Sequence, residues 1–294
     1  MKTRGHLLVL VGLVALPIQL FCQEKTPGKR PVTVLKDLAF GKGGDRELQL
    51  DLAMPKDATE KTPAILCLHG GGWRAGNRKD LSKLIEVYAE KGFVAATASY
   101  RLSSVSPFPA QIEDCKAAVR WLRANADKYH IDPNRIGTVG FSAGAHLACL
   151  LGTAGADAEL EGKGGSPGQS SKVQAVVSFF GPTDFSVKRW DKSVEDYFLK
   201  PFFGGSYEDK KDLYCRASPA RYVSKDCPPF LFFHGDKDRL VNIEESRHLC
   251  KKLDEAGVSA RLVTMENEGH GWSGEKLTRS LDQSAAFFAE KLKK

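Results

Sequence analysis

Ser142 lies in Gly140-Phe141-Ser142-Ala143-Gly144, a G-x-S-x-G run between two apolar segments. A serine hydroxyl is a weak nucleophile unless a base can reach it and its approach side is open. Ile136 to Val139 reads as a short buried strand, and Ala143 to Leu151 has the composition of a buried helix. Ser142 therefore falls on a sharp strand-to-helix turn, which pushes Oγ out past the end of a sheet. Gly140 and Gly144 flank the turn where side chains would collide. A helix starting at Ala143 offers free N–H groups to an oxyanion. A second glycine run, His69-Gly70-Gly71-Gly72-Trp73, follows another apolar segment. Three consecutive glycines are conformationally expensive. They make sense where backbone N–H groups must approach a ligand, and one lost oxyanion donor raises a barrier by about 3–4 kcal/mol. The chemistry these residues could perform together is acyl transfer.

A serine nucleophile needs a base, and the base needs an acid to orient it. Of the seven histidines, His270 is preferred because it sits between Gly269 and Gly271 on a strand-end loop. His69 reads as a loop-shaping residue, His146 as packed behind the nucleophile turn, and His234 as a residue shaping the acid loop. For the acid, Asp238 stands ahead of its rivals Asp236 and Asp184. Ser142, Asp238 and His270 each lie just past the end of a separate strand, where reactive groups collect in an open α/β sheet.

The elements that must hold these residues alternate. Val32 to Phe40 reads as a first strand. Glu47 to Ala53 alternates cleanly and predicts an antiparallel edge strand. Apolar runs at 63–68, 93–98, 173–179, 229–235 and 260–265 suit parallel strands buried on both faces. Helices are expected near 79–91, from Pro109 onward, over 243–256 and over 277–291. Ile112, Cys115, Val119 and Leu122 mark the buried stripe of the second, and Glu113 and Asp114 read as helix-start charges facing different ways. Ile131 to Arg135 reads as a loop, and Tyr100 and Arg101 as either pocket-bordering or structural. The β-α alternation from residue 63 calls for a parallel sheet with helices on both faces. Residues 185–226 are less regular. Their aromatics, among them Trp190, Tyr197, Phe198, Phe202, Phe203 and Tyr214, predict short helices walling a substrate pocket, packing onto the core, or both.

The chain has 294 residues, 42% of them apolar, which suits one large α/β domain. Residues 1–22 stand apart: Lys2, Arg4 and His6 precede an apolar stretch from Leu7 to Leu16, the pattern of a cleavable signal peptide. Residues 23–44 then form a leader and first edge strand, and 45–292 the catalytic domain with its insertion at 185–226. This organisation implies a secreted or periplasmic protein with no stable membrane span after cleavage. Lipoprotein anchoring at Cys22 is disfavoured by the bulky Phe21. The net charge of +7 is scattered rather than banded, so no nucleic-acid partner is inferred. No metal-ligand spacing appears and no cofactor is expected. Cys67 and Cys149 read as buried thiols, and Cys215 with Cys227 as the favoured disulfide of an exported chain.

With these motifs in place, the chain resembles the α/β-hydrolase esterases and lipases. It stands near the hormone-sensitive-lipase-like group and the bacterial carbohydrate esterases of feruloyl, acetylxylan and BD-FAE type. The matching motifs are HGGGW (69–73), GFSAGA (140–145), HGDKDRLV (234–241) and GHGW (269–272), within a similarity over about residues 45–292. The resemblance implies a mostly parallel eight-stranded sheet with helices on both faces. It implies Ser142, Asp238 and His270 as nucleophile, acid and base, with the N–H groups of Gly71, Gly72 and Ala143 as oxyanion donors. It also implies hydrolysis of short-chain or aromatic esters, including acetyl or feruloyl groups on carbohydrate, with a small-molecule or oligosaccharide ester as partner. Two departures stand out. Lipase-like members carry a long N-terminal cap, whereas here residues 23–68 mostly read as strands, which argues against a deep long-acyl pocket. Ala145 replaces a second glycine found in many relatives. The rival readings are an arylformamidase-like amide hydrolase, a small peptidase and a non-catalytic binding protein on a hydrolase scaffold.

Overall fold

The computed structural model describes residues 30–155 and 158–293, so the signal-peptide segment and Cys22 lie outside the described residues. Eight strands form one sheet: β1 (Val32–Gly43), β2 (Arg46–Pro55), β3 (Thr62–Leu68), β4 (Val94–Ala98), β5 (Ile131–Phe141), β6 (Ala175–Phe179), β7 (Phe230–Gly235) and β8 (Ala260–Met265). Their spatial order is β1-β2-β4-β3-β5-β6-β7-β8. β2 pairs antiparallel with β1 and β4, and every later pairing is parallel. β2 is therefore an interior strand, not the edge strand its alternation predicts. β1 takes the edge and carries two register breaks that twist it, a common way of blunting an exposed edge.

The central strands are apolar throughout because both faces of the sheet are covered. Along β7, Phe230 and Phe232 join one core while Leu231 and Phe233 join the other, all four fully buried. Burying each such side chain contributes roughly 1.5–3 kcal/mol. On one face lie α2 (Ala110–Ala124), α3 (Ala143–Thr153) and α7 (Glu244–Glu255). The other face is covered by α1 (Ser82–Glu90) and α8 (Gly274–Lys291). The insertion supplies three short helices, α4 (Lys192–Val194), α5 (Lys200–Phe203) and α6 (Tyr207–Arg216), with a π-turn over Glu195–Leu199. Its aromatics divide between the two expected roles. Phe202, Phe203 and Tyr214 are buried in the core, whereas Trp190 and Phe198 line a cavity beside Ser142.

Three sequence expectations need correction, and one open alternative is decided. Ile131–Arg135 is joined to β5 rather than forming a separate loop: Ile131 pairs with Thr62, and a bulge carries the ladder on to Ile136 and Ala64. Glu113 and Asp114 do not face apart to no purpose; both reach the guanidinium of Arg101, whose planar fork spans the angle between them. That ion pair, with the Tyr100 hydroxyl bonded to the His69 carbonyl at 2.9 Å, makes Tyr100 and Arg101 structural. Finally, Cys215 and Cys227 are free thiols. Cys227 Sγ is engaged in its own turn, accepting from Ser224 N and donating to the Tyr222 carbonyl. Cys67 and Cys149 are buried as expected. Burial pushes the Cys149 thiol up to about 12, so it stays protonated.

Candidate active site

β5 ends at Phe141, and the chain turns into α3 through Ser142, whose φ of 53° and ψ of −118° lie in a region L residues seldom adopt. Small neighbours make this turn possible. A Cβ on Gly140 would come within 2.1 Å of the Gly144 carbonyl, and one on Gly144 within 2.2 Å of the Leu68 carbonyl. The strain is held by backbone bonds on both sides: Ser142 N donates to the Phe179 carbonyl at 2.9 Å, and His146 N to the Ser142 carbonyl at 3.0 Å.

The loop after β8 brings His270 over this turn. Its Nε2 lies 2.8 Å from Ser142 Oγ, and its Nδ1 lies 2.7 Å from Asp238 Oδ2. The Phe180 ring packs against the imidazole, 4.8 Å between centroids. Asp238 sits in the loop after β7, its side chain fully buried. Burial alone would raise its pKa. Hydrogen bonds from His234 and His270 and from the Val241 N–H, with the nearby imidazole charge, overcome that and hold the carboxyl well below the usual range. Its Oδ1 accepts from Leu240 N and Val241 N, both at 2.9 Å. The rival carboxylates point elsewhere. Asp236 Oδ1 accepts from Asn267 N, and Asp184 Oδ1 from the N–H and hydroxyl of Ser186.

The other histidines hold the frame. His146 Nδ1 accepts from Trp73 Nε1 at 3.2 Å and its Nε2 donates to the Ala217 carbonyl at 2.7 Å, fixing the tautomer. Full burial lowers its pKa to about 4, so it stays neutral at ordinary pH. His234 Nε2 donates to the Val241 carbonyl at 2.8 Å and lies 3.3 Å from Asp238 Oδ2, while Nδ1 accepts from Ser246 Oγ. It thus ties the acid loop to α7. His69 stacks on Tyr100 at 4.2 Å and bonds the Gly70 carbonyl, shaping the glycine loop.

Gly71, Gly72 and Ala143 line one cavity with Ser142 and His270. Gly71 has φ +107°, and a Cβ there would lie 2.3 Å from the Ala75 carbonyl, so the loop needs glycine at this position. No backbone hydrogen bond among the described residues uses the Gly71 or Gly72 N–H, and Ala143 opens its helix, where N–H groups have no intrahelical acceptor. The cavity has a volume of about 230 Å³, and apolar groups supply the rest of its wall, among them Trp73, Pro182, Phe185, Trp190, Phe198 and Leu199. Sequence reasoning did not single out Pro182, Phe185 or Leu240 for this wall. Leu240, two residues beyond Asp238 in the acid motif, was the legible one. Arg74 was also missed; it bonds the Tyr197 carbonyl at 2.6 Å and lies over its ring, joining the glycine loop to the insertion.

Residues 50–253 match the BD-FAE family model. The chain belongs to the BD-FAE family. The matched span includes the glycine loop, Ser142 and Asp238 and ends before His270. Among curated relatives, the chain is 32% identical to esterase LipQ and 28% identical to esterase LipC of Mycobacterium tuberculosis, over 86% and 78% of its own length. It spans 61% and 58% of those two proteins. Among solved structures, a truncated carbohydrate esterase from gut microbiota is 30% identical with a TM-score of 0.78, covering 89% of this chain and 97% of that one. A propionate-bound esterase of Thermogutta terrifontis is 26% identical with a TM-score of 0.73, covering 90% and 94%. The BD-FAE chain thus has the α/β-hydrolase fold of these esterases. Among the described residues, no helix is long and apolar enough to cross a membrane, and no group of side chains is arranged to hold a metal ion.

Proposed function

We propose that the chain is an exported serine carboxylesterase acting on esters of short acyl groups, including acetyl groups on carbohydrate. The observation that carries this reading is the continuous line from Ser142 Oγ through His270 to Asp238, with steps of 2.8 and 2.7 Å, opening into the cavity beside the glycine loop. In this mechanism His270 Nε2 takes the Ser142 proton as Oγ attacks the ester carbonyl. The N–H groups of Gly71, Gly72 and Ala143 receive the oxyanion. His270 returns the proton to the leaving alcohol, leaving an acyl group on Ser142, and water then repeats the sequence to release the acid. Asp238 fixes the imidazole tautomer and stabilises the imidazolium. Esterase names among the relatives and structural neighbours support the reaction class. The cavity, about 230 Å³, is below the roughly 300–1,000 Å³ of sites for drug-sized ligands. That supports short acyl groups, as does the propionate-bound state of the Thermogutta terrifontis esterase. Export rests on the basic and apolar pattern of residues 1–22.

The test is initial hydrolysis rate on p-nitrophenyl acetate, p-nitrophenyl octanoate, methyl ferulate, acetylated xylo-oligosaccharide and N-formylkynurenine, with Ser142→Ala beside the wild type. The expected result is acetate release at least about tenfold faster than octanoate, and loss of turnover in the variant by a factor of about 10⁴ or more. Equal turnover by the variant, or no labelling of Ser142 by a fluorophosphonate, sinks the nucleophile assignment. N-formylkynurenine as the best substrate replaces the ester reading with an amide one.

A further inference from the structure

Trp190 is the common wall of three cavities. One is the cavity at Ser142, about 230 Å³. Another, about 610 Å³, carries charged and amide side chains and shares Trp190, Val194 and Leu240 with the first. The last is small, about 10 Å³, and shares Phe185, Trp190 and Leu199 with the first. Among the described residues, no other side chain lines all three. Phe185 and Leu199 are buried in the core, and Phe185 packs edge-on against Trp73, His146 and Phe203. Trp190 is held differently. It is half-buried, and its one aromatic contact among the described residues is with Phe185, stacked at 5.6 Å. Its indole N–H is buried without an acceptor, so no side-chain hydrogen bond fixes the ring. The backbone beside it is fixed from the neighbouring position, where Arg189 Nε donates to the buried Glu245 Oε1 at 2.9 Å. The indole is a plate, held by packing, between the space at Ser142 and the space beyond.

We propose that Trp190 is the residue that limits acyl length, and that a smaller side chain at this position admits an eight-carbon chain. The inference rests on the esterase reading of Ser142 and assigns the length limit to one side chain. Removing the indole vacates its own volume and joins the cavity at Ser142 to the small one behind it. That direction suits an apolar chain. Phe185, Leu199, Tyr207 and Tyr214 wall the small cavity, and the two tyrosines spend their hydroxyls on the Ser186 and Gly205 carbonyls, leaving their rings as apolar surface. The larger cavity is the poorer route, because its wall includes Arg189, Asp191, Arg239 and Glu244, and methylenes gain little by leaving water for charged surroundings. Leu240 separates the catalytic cavity from that polar one but does not line the small one. It therefore serves as the control: opening the wall at Leu240 leads only to the polar side.

The experiment compares the wild type with Trp190→Ala, Trp190→Phe and Leu240→Ala on p-nitrophenyl acetate and p-nitrophenyl octanoate. Both esters carry the same alcohol, so the ratio of their kcat/KM values reads acyl recognition alone. The same proteins are titrated calorimetrically with sodium octanoate, which reads the wall without any turnover. Circular dichroism melts check that each variant is folded, and Trp190→Leu stands in where the alanine variant is not. In Trp190→Ala the octanoate-to-acetate ratio should rise by about tenfold or more, the scale on which an apolar pocket discriminates even one methylene. Octanoate should bind about tenfold more tightly to that variant than to the wild type. Trp190→Phe keeps a ring in place and should fall between the two, and Leu240→Ala should move the ratio by less than about threefold. An unchanged ratio in folded Trp190→Ala overturns the proposal, as does a rise of equal size in Leu240→Ala. No ester turnover by the wild type, with octanoate still binding more tightly to Trp190→Ala, keeps the wall and sinks the esterase reading. Turnover with an unchanged ratio does the reverse, so the two failures are distinguishable.

Discussion

At the scale of single residues, the site depends on a carboxylate kept ionised in a buried position. Asp238 is enclosed, and burial works against its charge, but the bonds from His234, His270 and the acid-loop N–H hold its pKa well down. The consequence for stability has a definite sign. A carboxyl whose folded-state pKa lies below its unfolded value, ordinarily about 3.9, stabilises the fold fully above that value. The contribution fades as pH falls toward the folded-state pKa. Asp238→Asn should therefore melt below the wild type at pH 6–7, with the gap closing steadily from about pH 4 downward. Thermal melts followed by circular dichroism between pH 7 and pH 2.5 check this; a gap that does not change with pH would remove the ionised carboxylate from the account. In the same variant kcat on p-nitrophenyl acetate should fall by about 10⁴-fold, because an amide no longer fixes the imidazole tautomer.

At the scale of elements, the insertion is packed directly onto the glycine loop. A Cβ on Gly72 would come within 2.2 Å of the Phe198 ring, and Gly72 itself has φ +59°. Gly72→Ala therefore meets two costs: a left-handed conformation, about 1–2 kcal/mol for an L residue, and displacement of the π-turn that carries Phe198. The expected loss in kcat/KM is about 10²–10³-fold, as for a misplaced oxyanion donor. Phe198→Ala added to Gly72→Ala removes the clash but not the strain, so activity should recover at least about fivefold without reaching the wild type. No recovery in steady-state assays would mean that backbone strain alone moves the loop. This contact shows where the sequence stops being readable. Strand ends, the glycine run and the Ser142 turn are local signals, and they located the residues that stand in contact at the site. What lies across from them is not local. Phe198 meets Gly72, and Tyr197 meets Arg74, only because the insertion folds back over the glycine loop. Asp114 meets Arg101 across 13 positions, so adjacent acidic residues at a helix start gave no hint of a common partner. Cys215 and Cys227 were close in sequence, but one lies on α6 and the other in a turn whose own backbone engages its sulfur.

At the scale of the whole molecule, β1 and β2 have to be fastened to the parallel strands, because they join the sheet as an antiparallel hairpin at its edge. Arg101 is placed at that seam. Its Nε lies only 2.5 Å from where a Cβ on Gly43 would be, at the end of β1, and its guanidinium binds Asp114 and Glu113 on α2. Arg101 N also donates to Asp114 Oδ2 at 2.8 Å, holding the chain just after β4. Asp114 is 2% exposed, so removing it leaves a guanidinium mostly out of water, with only the Glu113 carboxylate to offset its charge and the Ala110 carbonyl as a further acceptor. Breaking a buried pair from one side is far costlier than replacing both partners, since the stranded charge keeps its desolvation penalty. Asp114→Ala should lower unfolding free energy by about 3–5 kcal/mol, whereas Arg101→Met with Asp114→Leu should lose much less. Urea unfolding followed by tryptophan fluorescence separates the two. If the single and double substitutions cost the same, the pair contributes through shape rather than charge, and the hairpin is held by its apolar residues Phe40, Leu48, Leu50 and Leu52 and by Arg78, which bonds Asp37, Gln49 and Asp51.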